Sequence, residues 1–348
     1  MARVDVTVRG AGIFGLACAW EMARRGAKLR VIDREGVFAG CSGGLVGALA
    51  PHVPERWNAK KDFQFESLVM AESFWGDIAA ASRLDPGYGR TGRLQPILDD
   101  EGLERARARG EEAKALWKGK ADWQVVRAET FGDWAPATPT GWVIHDTLTA
   151  RLHPRRAGAA LAAAVEALGG ELVIGEGEDE GKVLWATGAA GLADLSADLG
   201  RTVGVPIKGQ AALLKLDRPE APQYLADATH GVPHVNGTLA IGSTTEREFG
   251  DPIATDGQID AVVARAKAAC PALAEAPVIA RWAGLRPRSR SRAPMLGRWP
   301  GRDGNYVANG GFKIGFGMAP KVAHVMADLI LDGSETGIPE GFRVEDNL

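Results

Sequence analysis

The sequence has few cysteines and no long apolar run. Its 348 residues include only Cys18, Cys41 and Cys270, which are odd in number and scattered. That pattern is typical of a reducing compartment and excludes a disulfide framework or a zinc ribbon. No apolar stretch approaches the roughly 18 residues of a membrane span, and no charged leader with an apolar segment and a cleavage site opens the chain. We therefore expect a cytoplasmic protein without a membrane span.

The sequence has no large excess of positive or negative charge, and it lacks several catalytic motifs. Lys and Arg total 41 and Asp and Glu total 44, so a net charge of −3 recruits neither nucleic acid nor anionic membrane. No G-x-S-x-G elbow or Walker A loop is present, which excludes the usual carriers of acyl transfer and nucleotide hydrolysis. His230 and His234 are separated by Gly231 and Pro233, so no helix aligns them and no metal site is expected. Of the reaction classes considered, redox chemistry on a small molecule is the one that these absences do not exclude.

The N-terminal segment has the pattern of a strand, a helix and a second strand. A strand is predicted over 4–8, and Gly10-Ala11-Gly12-Ile13-Phe14-Gly15 follows at once as G-x-G-x-x-G. A helix is predicted from Leu16 to about Arg25, and a strand over 28–32 closes on Asp33. This order is typical of a dinucleotide-binding βαβ unit, with a purely structural turn as the alternative.

Each element of the motif has a physical task in dinucleotide binding. Gly10 permits the turn, Gly12 lets a pyrophosphate approach the backbone N–H groups at the helix N-terminus, and Gly15 permits close helix–strand packing. Asp33, 18 residues after Gly15, is placed to hold ribose hydroxyls, and its carboxylate would repel a 2′-phosphate. Arg9, before the first glycine, is unexpected at a buried strand end and has no role evident from the sequence.

The small residues of 39–51 predict a loop and helix start pressed against a ligand, with Ser42 able to donate to a phosphate. A tight packing corner is the alternative. Helices are predicted over 62–81 and 99–118, and neither carries chemistry.

Strand–helix–strand order returns late in the sequence. His153-Pro154 opens a helix, strands are predicted over 171–174 and 182–185, and Ala186-Thr187-Gly188 follows the second strand. The return after about a hundred residues predicts that the nucleotide-binding domain is discontinuous. A strand over 205–216 and a type I′ hairpin at Asn236-Gly237 predict antiparallel structure in a second domain.

The C-terminal region carries a specific resemblance. It reads Arg-Trp-Ala-Gly-Leu-Arg-Pro from Arg281 and Asn-Gly-Gly-Phe-Lys-Ile-Gly-Phe-Gly from Asn309. With the N-terminal unit, Ser42-Gly43-Gly44, Gly92-Arg93-Leu94, His153-Pro154 and Gly242-Ser243-Thr244 in the same order, the chain resembles the D-amino-acid oxidase family of FAD-dependent oxidoreductases. The likeness is greatest to its glycine-oxidase-like members, and it covers nearly the whole chain.

The resemblance implies an α/β fold with an α+β second domain. It predicts a discontinuous, Rossmann-like FAD-binding domain of the glutathione-reductase type, formed by 1–50, 142–204 and 276–348. A substrate-binding domain with an antiparallel sheet would comprise 51–141 and 205–275.

The resemblance also implies a noncovalent FAD, because related sarcosine oxidases attach flavin through a cysteine that this chain lacks after Arg281. A Gly-rich turn that feeds a helix, as at 310–315, directs N–H groups and a positive dipole end toward a reduced flavin. The residues expected to contact FAD are Gly10, Gly12, Ile13, Phe14, Gly15, Asp33, Arg34, Cys41, Ser42, Gly43, Gly44, Val173, Thr187, Gly188, Gly310, Gly311, Phe312, Lys313 and Ile314.

By the same resemblance, Arg286 and Lys313 are the expected catalytic residues and hold a substrate carboxylate, with His52 in the substrate pocket. An arginine fork gives two parallel hydrogen bonds and a lysine adds a point charge. The implied reaction oxidises the CH–NH bond of a small amino acid or secondary amine, such as glycine, sarcosine or a D-amino acid, to an imine by hydride transfer to flavin. Oxygen or another acceptor would reoxidise the flavin, and a homo-oligomer is compatible with the sequence.

Two other functions fit parts of the pattern. The segment 47–51, Gly-Ala-Leu-Ala-Pro, resembles the oxidase domain of an enzyme that trims carboxymethylaminomethyl uridine in tRNA, although the net charge opposes an RNA substrate. Alternatively, the protein is a non-catalytic FAD-binding subunit of a larger oxidoreductase complex, with Arg9 and the unusual Trp185 as its signs.

Overall fold

A computed structural model describes residues 4–348. The α-helices are α1 (Ile13–Arg24), α2 (Ala59–Ser82), α3 (Asp100–Leu116), α4 (Pro154–Ala167), α5 (Gly188–Asp198), α6 (Gly257–Ala269) and α7 (Gly315–Ala327). The first eight strands are β1 (Val6–Arg9), β2 (Leu29–Asp33), β3 (Ala48–Leu49), β4 (Arg93–Pro96), β5 (Trp123–Arg127), β6 (Trp142–Asp146), β7 (Ala150–Arg151) and β8 (Glu171–Ile174). The other strands are β9 (Lys182–Trp185), β10 (Gly204–Lys215), β11 (Gln223–Ala226), β12 (Thr229–His234), β13 (Thr238–Gly242), β14 (Val278–Ser289), β15 (Met295–Arg298) and β16 (Asn305–Asn309).

The first sheet has six strands in the order β15-β16-β9-β1-β2-β8. All neighbours are parallel except the antiparallel pair β15 and β16 at one edge. Helices α1, α4 and α7 pack together in the main hydrophobic core, and α2 covers α4 and α7. Because parallel strands end at a common edge, the turn after β1 and the turn after β9 meet beside α1.

The second sheet has eight strands in the order β14-β10-β13-β12-β11-β4-β6-β5. It is antiparallel except for the pair β11 and β4. The long strands β10 and β14 pair from Gly204 with Ser289 to Leu214 with Val278. Helix α6 packs on β10, β12 and β13 through a second apolar core. The outcome is one parallel sheet with helices and one mainly antiparallel sheet.

The fold class predicted from the sequence is confirmed, and several local predictions agree closely with the structure. Strands β8 and β9 have the predicted bounds, and β1, α1 and β2 form the predicted βαβ unit. The parallel sheet draws its strands from three separated stretches of the chain, so the nucleotide-binding unit is discontinuous.

The predicted domain division differs from the sheets at two segments. Strands β6 and β14 lie in the second sheet, although 142–204 and 276–348 were assigned to the FAD-binding domain. Both strands find their hydrogen-bonding partners in β4 and β10. Strand pairing over such separations has no local sequence signal.

One turn prediction is wrong, and one predicted helix start is shorter than expected. The loop between β12 and β13 has three residues, 235–237, and only Gly237 has a positive φ, of 75°. A type I′ turn needs positive φ at both central residues, so the predicted two-residue hairpin is excluded. The helix start predicted within 39–51 is one 3₁₀ turn, Cys41–Gly43, before the short strand β3.

Arg9 and Trp185 are explained by contacts with each other and with a nearby loop. They are register partners on β1 and β9, and the guanidinium carbon lies 6.0 Å from the indole centroid. Arg9 Nε donates to Asp179 Oδ1 at 2.6 Å, and Nη2 donates to the Gly177 carbonyl at 2.6 Å. Arg9 therefore fastens the loop 175–181 to the parallel sheet, and Trp185 packs beside it and donates from Nε1 to Asn305 Oδ1 at 2.8 Å.

Within residues 4–348, no helix combines the length and the apolar character that crossing a bilayer requires.

Candidate active site

The G-x-G-x-x-G turn is a place of close backbone contact. Gly10 has φ +103°, and a Cβ on it would lie 2.5 Å from the carbonyl oxygen of Ala186. A Cβ on Gly15 would lie 1.8 Å from the carbonyl oxygen of Gly10. The turn after β1, the start of α1 and the turn after β9 therefore meet without side chains between them. Such a bare surface at a helix N-terminus is suited to a pyrophosphate.

Ser42 and Asp33 are bound to the same turn. Ile13 N donates to Ser42 Oγ at 3.0 Å, which leaves the hydroxyl proton available to a phosphate oxygen. Asp33 Oδ2 accepts from Ala11 N at 2.7 Å, and Oδ1 accepts from the N–H groups of Glu35 and Gly36 at 3.0 Å. The carboxylate at the end of β2 is therefore held against the glycine loop, beside the predicted ribose position.

The other residues predicted around the ADP half lie at different depths. Thr187 Oγ1 is buried and has no hydrogen-bond partner within residues 4–348, as expected of an atom that a bound group would satisfy. Val173 is the register partner of Ile32 on the neighbouring strand. Arg34 is 82% exposed and its Nε lies 3.1 Å from Glu176 Oε1, so the structure directs it to a surface ion pair.

The bare backbone surface at Gly10, Gly12 and Gly15 is called the glycine cradle. The turn 310–314 connects this cradle to the second sheet. A Cβ on Gly311 would lie 3.0 Å from Phe14 Cζ, so the N-termini of α1 and α7 are adjacent. Phe312 has a positive φ of 42° and its N–H donates to the Pro287 carbonyl at 3.1 Å. The N-terminus of α7, which is the positive end of the helix dipole, therefore lies between the glycine cradle and the second sheet.

A cleft of about 320 Å³ opens at this junction. Its walls are the segments 44–52 and 312–317, the strand β14, and parts of β4 and β12. Cys41, His52, Arg286, Phe312, Lys313 and Ile314 all line it, so the structure brings these sequence-predicted residues together. Burial raises the pKa of the Cys41 thiol, which keeps it protonated and unsuited to attack a flavin.

Arg286 is a buried cation with few protein partners. Its residue is 8% exposed, and its guanidinium makes one hydrogen bond within residues 4–348, from Nη1 to the Thr244 carbonyl at 3.1 Å. Burial lowers its pKa, and the nearby Glu246 opposes that shift. Glu246 itself lies 3.6 Å from Lys208 Nζ and accepts a hydrogen bond from Gln210 at 3.1 Å. Most of the Arg286 donors therefore remain free for a ligand.

Lys313 and His52 lie at other points of the same cleft. Lys313 Nζ donates to Thr245 Oγ1 at 2.8 Å. Partial burial of the ammonium group, and then the charge of Arg286, lower its pKa. Gln64 Oε1 accepts from the backbone N–H of His52 at 2.8 Å and also contacts the ring Nδ1. Burial lowers the pKa of His52, so the imidazole is neutral and oriented by Gln64.

Sequence reasoning missed three lining residues, Arg93, His230 and Trp282. A Cβ on Gly44 or Gly284 would lie 3.3 or 2.5 Å from the Trp282 ring, so these two glycines make room for the indole. The sequence marks His230 only as a possible metal ligand, and it marks Arg93 only as part of Gly92-Arg93-Leu94. No local signal marks either, because the two side chains meet the cleft from different strands.

The fold and site are those of a dinucleotide-binding protein with a cleft, lined by Arg93, Arg286 and Lys313, beside the glycine turn. The chain matches the FAD dependent oxidoreductase family, DAO, over residues 5–329, and it belongs to that family. It is 28% identical to glycine oxidase from Pseudomonas putida, over 99% of both chains.

Solved structures show the same fold. Glycine oxidase from Geobacillus kaustophilus has a TM-score of 0.85 at 20% identity and covers 99% of both chains. Iminodiacetate oxidase from Chelativorans sp. has a TM-score of 0.84 at 22% identity and covers 97% of this chain and 98% of its own.

The protein is accordingly an FAD-dependent amine or amino-acid oxidoreductase. The cradle fits FAD: the glycine surface at Gly10, Gly12 and Gly15 admits a pyrophosphate, and Ser42 and Thr187 have groups available to it.

Proposed function

We propose that this protein oxidises the amine of a small amino acid, such as glycine, sarcosine or a D-amino acid, whose carboxylate is bound by Arg286. The observation that supports this is the buried guanidinium of Arg286, which lines the cleft with most of its donors unused. A buried charge without a partner is costly, and a substrate carboxylate would satisfy it with two parallel hydrogen bonds. The similarity to glycine oxidases agrees with this substrate class.

The chain's residues would act by binding and orientation. Arg286 and Lys313 together hold the carboxylate, so the amine end of the substrate is turned toward the rest of the cleft. His52 stays neutral and fixed by Gln64, and the indole of Trp282 excludes water from one wall. The small size of the cleft, at the lower end for ligand sites, favours a compact amine.

When bound, FAD would supply a two-electron acceptor for this oxidation, and Arg286 and Lys313 would orient the carbon that bears the amine nitrogen. The substrate loses two electrons and two protons overall and becomes an imine. Water then adds to the imine carbon and the C–N bond breaks, which releases an oxo acid and ammonia or a smaller amine. The electrons pass finally to oxygen or another acceptor.

The alternatives gain less support. Arg9 and Trp185, the signs of a non-catalytic subunit, have partners within the chain: Arg9 bonds the loop 175–181, and Trp185 packs beside Arg9 and donates to Asn305. A tRNA substrate would require a wide basic approach. Arg201, Arg288, Arg290 and Arg292 do line a separate pocket, but the net charge is −3 and the cleft itself is about 320 Å³, which favours a small substrate. A cytoplasmic location and a homo-oligomer stay predictions of the sequence.

Anaerobic reduction of the bound flavin tests the proposed reaction. We expect the yellow protein to bleach on addition of at least one of glycine, sarcosine, D-proline or a D-amino acid, with the corresponding oxo acid and ammonia or amine as products. Stopped-flow absorbance near the flavin maximum measures the rate. A yellow protein that no member of the panel bleaches would contradict the proposal.

Lys313 predicts a pH dependence of substrate binding. Because burial and Arg286 lower its pKa below the ordinary lysine value, its positive charge is present at lower pH and is lost as pH rises through the lowered pKa. We expect the KM for a carboxylate substrate to rise on the alkaline side, at a pH below the ordinary lysine range. Lys313→Arg should move this rise to higher pH, and Lys313→Gln should abolish it. An unchanged profile in Lys313→Gln would exclude Lys313 from carboxylate binding.

A further inference from the structure

The cleft carries more positive charge than one carboxylate needs. Arg93, Arg286 and Lys313 all line it, and no aspartate or glutamate of the described chain does. A ligand with a single carboxylate would satisfy Arg286 and Lys313 and leave Asp146, on the neighbouring strand β6, as the ionic partner of Arg93. Because the ion pair with Asp146 uses only Nε of Arg93, the rest of this guanidinium is available at the cleft to a second anionic group of the ligand.

Arg93 is held in place but not fully used by the protein. Its side chain is 5% exposed, and Nε donates to Asp146 Oδ2 at 3.0 Å across the β4–β6 pair. The other Asp146 oxygen accepts from the backbone N–H and the hydroxyl of Thr149 at 2.9 and 2.6 Å. Within residues 4–348 the two terminal nitrogens of Arg93 donate to no protein acceptor. Asp146 therefore orients the guanidinium and leaves its terminal N–H groups for a ligand.

A structural ion pair is the simplest competing explanation for Arg93. Asp146 would then serve to neutralise it, and nothing further would be required. That explanation does not account for terminal nitrogens without protein acceptors at the wall of a cleft. It also leaves unexplained a neighbouring buried histidine nitrogen without a partner.

His230 supplies that second observation. It lines the cleft, and its Nε2 is buried without a hydrogen-bond partner within residues 4–348. Burial first, and then the charges of Arg93 and Lys313, lower its pKa to about 3. The imidazole is therefore neutral, lies near both cations, and can donate one N–H to an anion.

The strand order separates the two arginines. Arg286 is on β14 at one edge of the second sheet, and Arg93 is on β4, with β10, β13, β12 and β11 between them. Both side chains line the common cleft, and His230 is on β12, which lies between their two strands in the sheet. A ligand that meets both needs an anionic group at each end.

We propose that the substrate is a small amine with two carboxylates, one bound by Arg286 and Lys313 and the other by Arg93 and His230. This inference rests on the proposed amine oxidation. Two substrate families share the chemistry: N-carboxymethyl amino acids, of which iminodiacetate is the smallest, and D-amino acids with an acidic side chain. For iminodiacetate, loss of two electrons and two protons followed by addition of one water would yield glyoxylate and glycine.

The first test compares ligands on the unaltered holoenzyme. We expect malonate and succinate to perturb the flavin absorbance with dissociation constants at least tenfold below those of acetate and propionate at equal ionic strength. We also expect kcat/KM to be at least tenfold higher for iminodiacetate than for sarcosine, or for D-aspartate than for D-alanine. A larger ratio for iminodiacetate over sarcosine would identify N-carboxymethyl amino acids as the substrates, and a larger ratio for D-aspartate over D-alanine would identify acidic D-amino acids. Equal values within both acid and amine pairs would overturn the inference.

The second test assigns the effect to Arg93. Arg93→Gln should weaken dicarboxylate binding and turnover at least tenfold, with sarcosine turnover changed less than threefold, and Arg93→Lys should restore part of the loss. Arg90→Gln is the matched control, since Arg90 donates to the carbonyls of Thr147 and Lys120 and does not line the cleft. If Arg93→Gln folds poorly because Asp146 is left unpaired, Arg93→Gln with Asp146→Asn replaces it.

The outcomes separate this inference from the proposed function. An equal loss for sarcosine and iminodiacetate in Arg93→Gln would overturn the second carboxylate site and leave amine oxidation standing. Dicarboxylate binding that depends on Arg93, in a protein that no amine reduces, would support the anion site and contradict the proposed reaction.

Discussion

Replacement of Arg286 by alanine is expected to lower kcat/KM for the amino-acid substrate at least a thousandfold, about 4 kcal/mol of transition-state stabilisation. We propose the buried guanidinium as the principal carboxylate partner in the cleft, so its removal should cost both binding and the orientation of the reacting carbon. FAD should stay bound, because the glycine cradle is on the parallel sheet. Anaerobic flavin reduction measures the effect, and the visible spectrum reports the cofactor.

Two further variants make this result specific. Arg286→Lys keeps the positive charge but loses the planar fork, so an intermediate activity is expected. Arg281→Ala removes an arginine from the same strand, β14, where it pairs with Asp260 on the surface, and it should leave activity unchanged. An Arg286→Ala enzyme that reduces its flavin at close to the original rate would remove Arg286 from the site and with it the proposed substrate class.

Replacement of Gly15 by alanine is expected to abolish FAD binding. The added Cβ would lie 1.8 Å from the Gly10 carbonyl oxygen and 3.0 Å from its carbonyl carbon, and both are backbone atoms. The contact can be relieved only if α1 moves away from the end of β1, which opens the pyrophosphate surface. We expect the purified protein to be colourless, with less than a tenth of the original flavin content, and to unfold at a lower temperature.

Gly76→Ala is the matched control for this effect. Gly76 is in α2, and nothing lies within 4 Å of an added Cβ. Since alanine is also the better helix former, this variant should remain yellow and at least as stable. A Gly15→Ala protein with its full flavin content would show that the close packing at Gly10 does not shape the cofactor cradle.

Local patterns predicted much of the parallel sheet. Strands β8 and β9 have the predicted bounds, and the motif at Gly10, Gly12 and Gly15 lies between β1 and α1 as expected. These features depend on residues close in sequence, where alternation, helix period and glycine turns are visible. The predicted two-residue turn at Asn236-Gly237 is wrong because loop length depends on how β12 and β13 are registered.

The second sheet and the composition of the cleft depended on distant pairing. Strand β14 pairs with β10 and β6 pairs with β4, and neither partnership has a signal in a single sequence. Arg93 and His230 therefore gave no indication of sharing a cleft with Arg286. The role of Arg9 also became clear only when Trp185 and Asp179 were placed beside it.

The sequence by itself thus determined the glycine cradle, the discontinuous nucleotide-binding unit and the family resemblance. All three depend only on short motifs and on the order of those motifs along the chain. The tertiary structure alone decided which charges share the cleft. Arg93, His230, Arg286 and Lys313 come from four separate segments, and only the pairing of the second sheet and its contact with α7 bring their side chains to one place. The proposed charge of the substrate rests on these side chains lining one cleft. Electrostatic interaction depends on distance in space and not on distance along the chain.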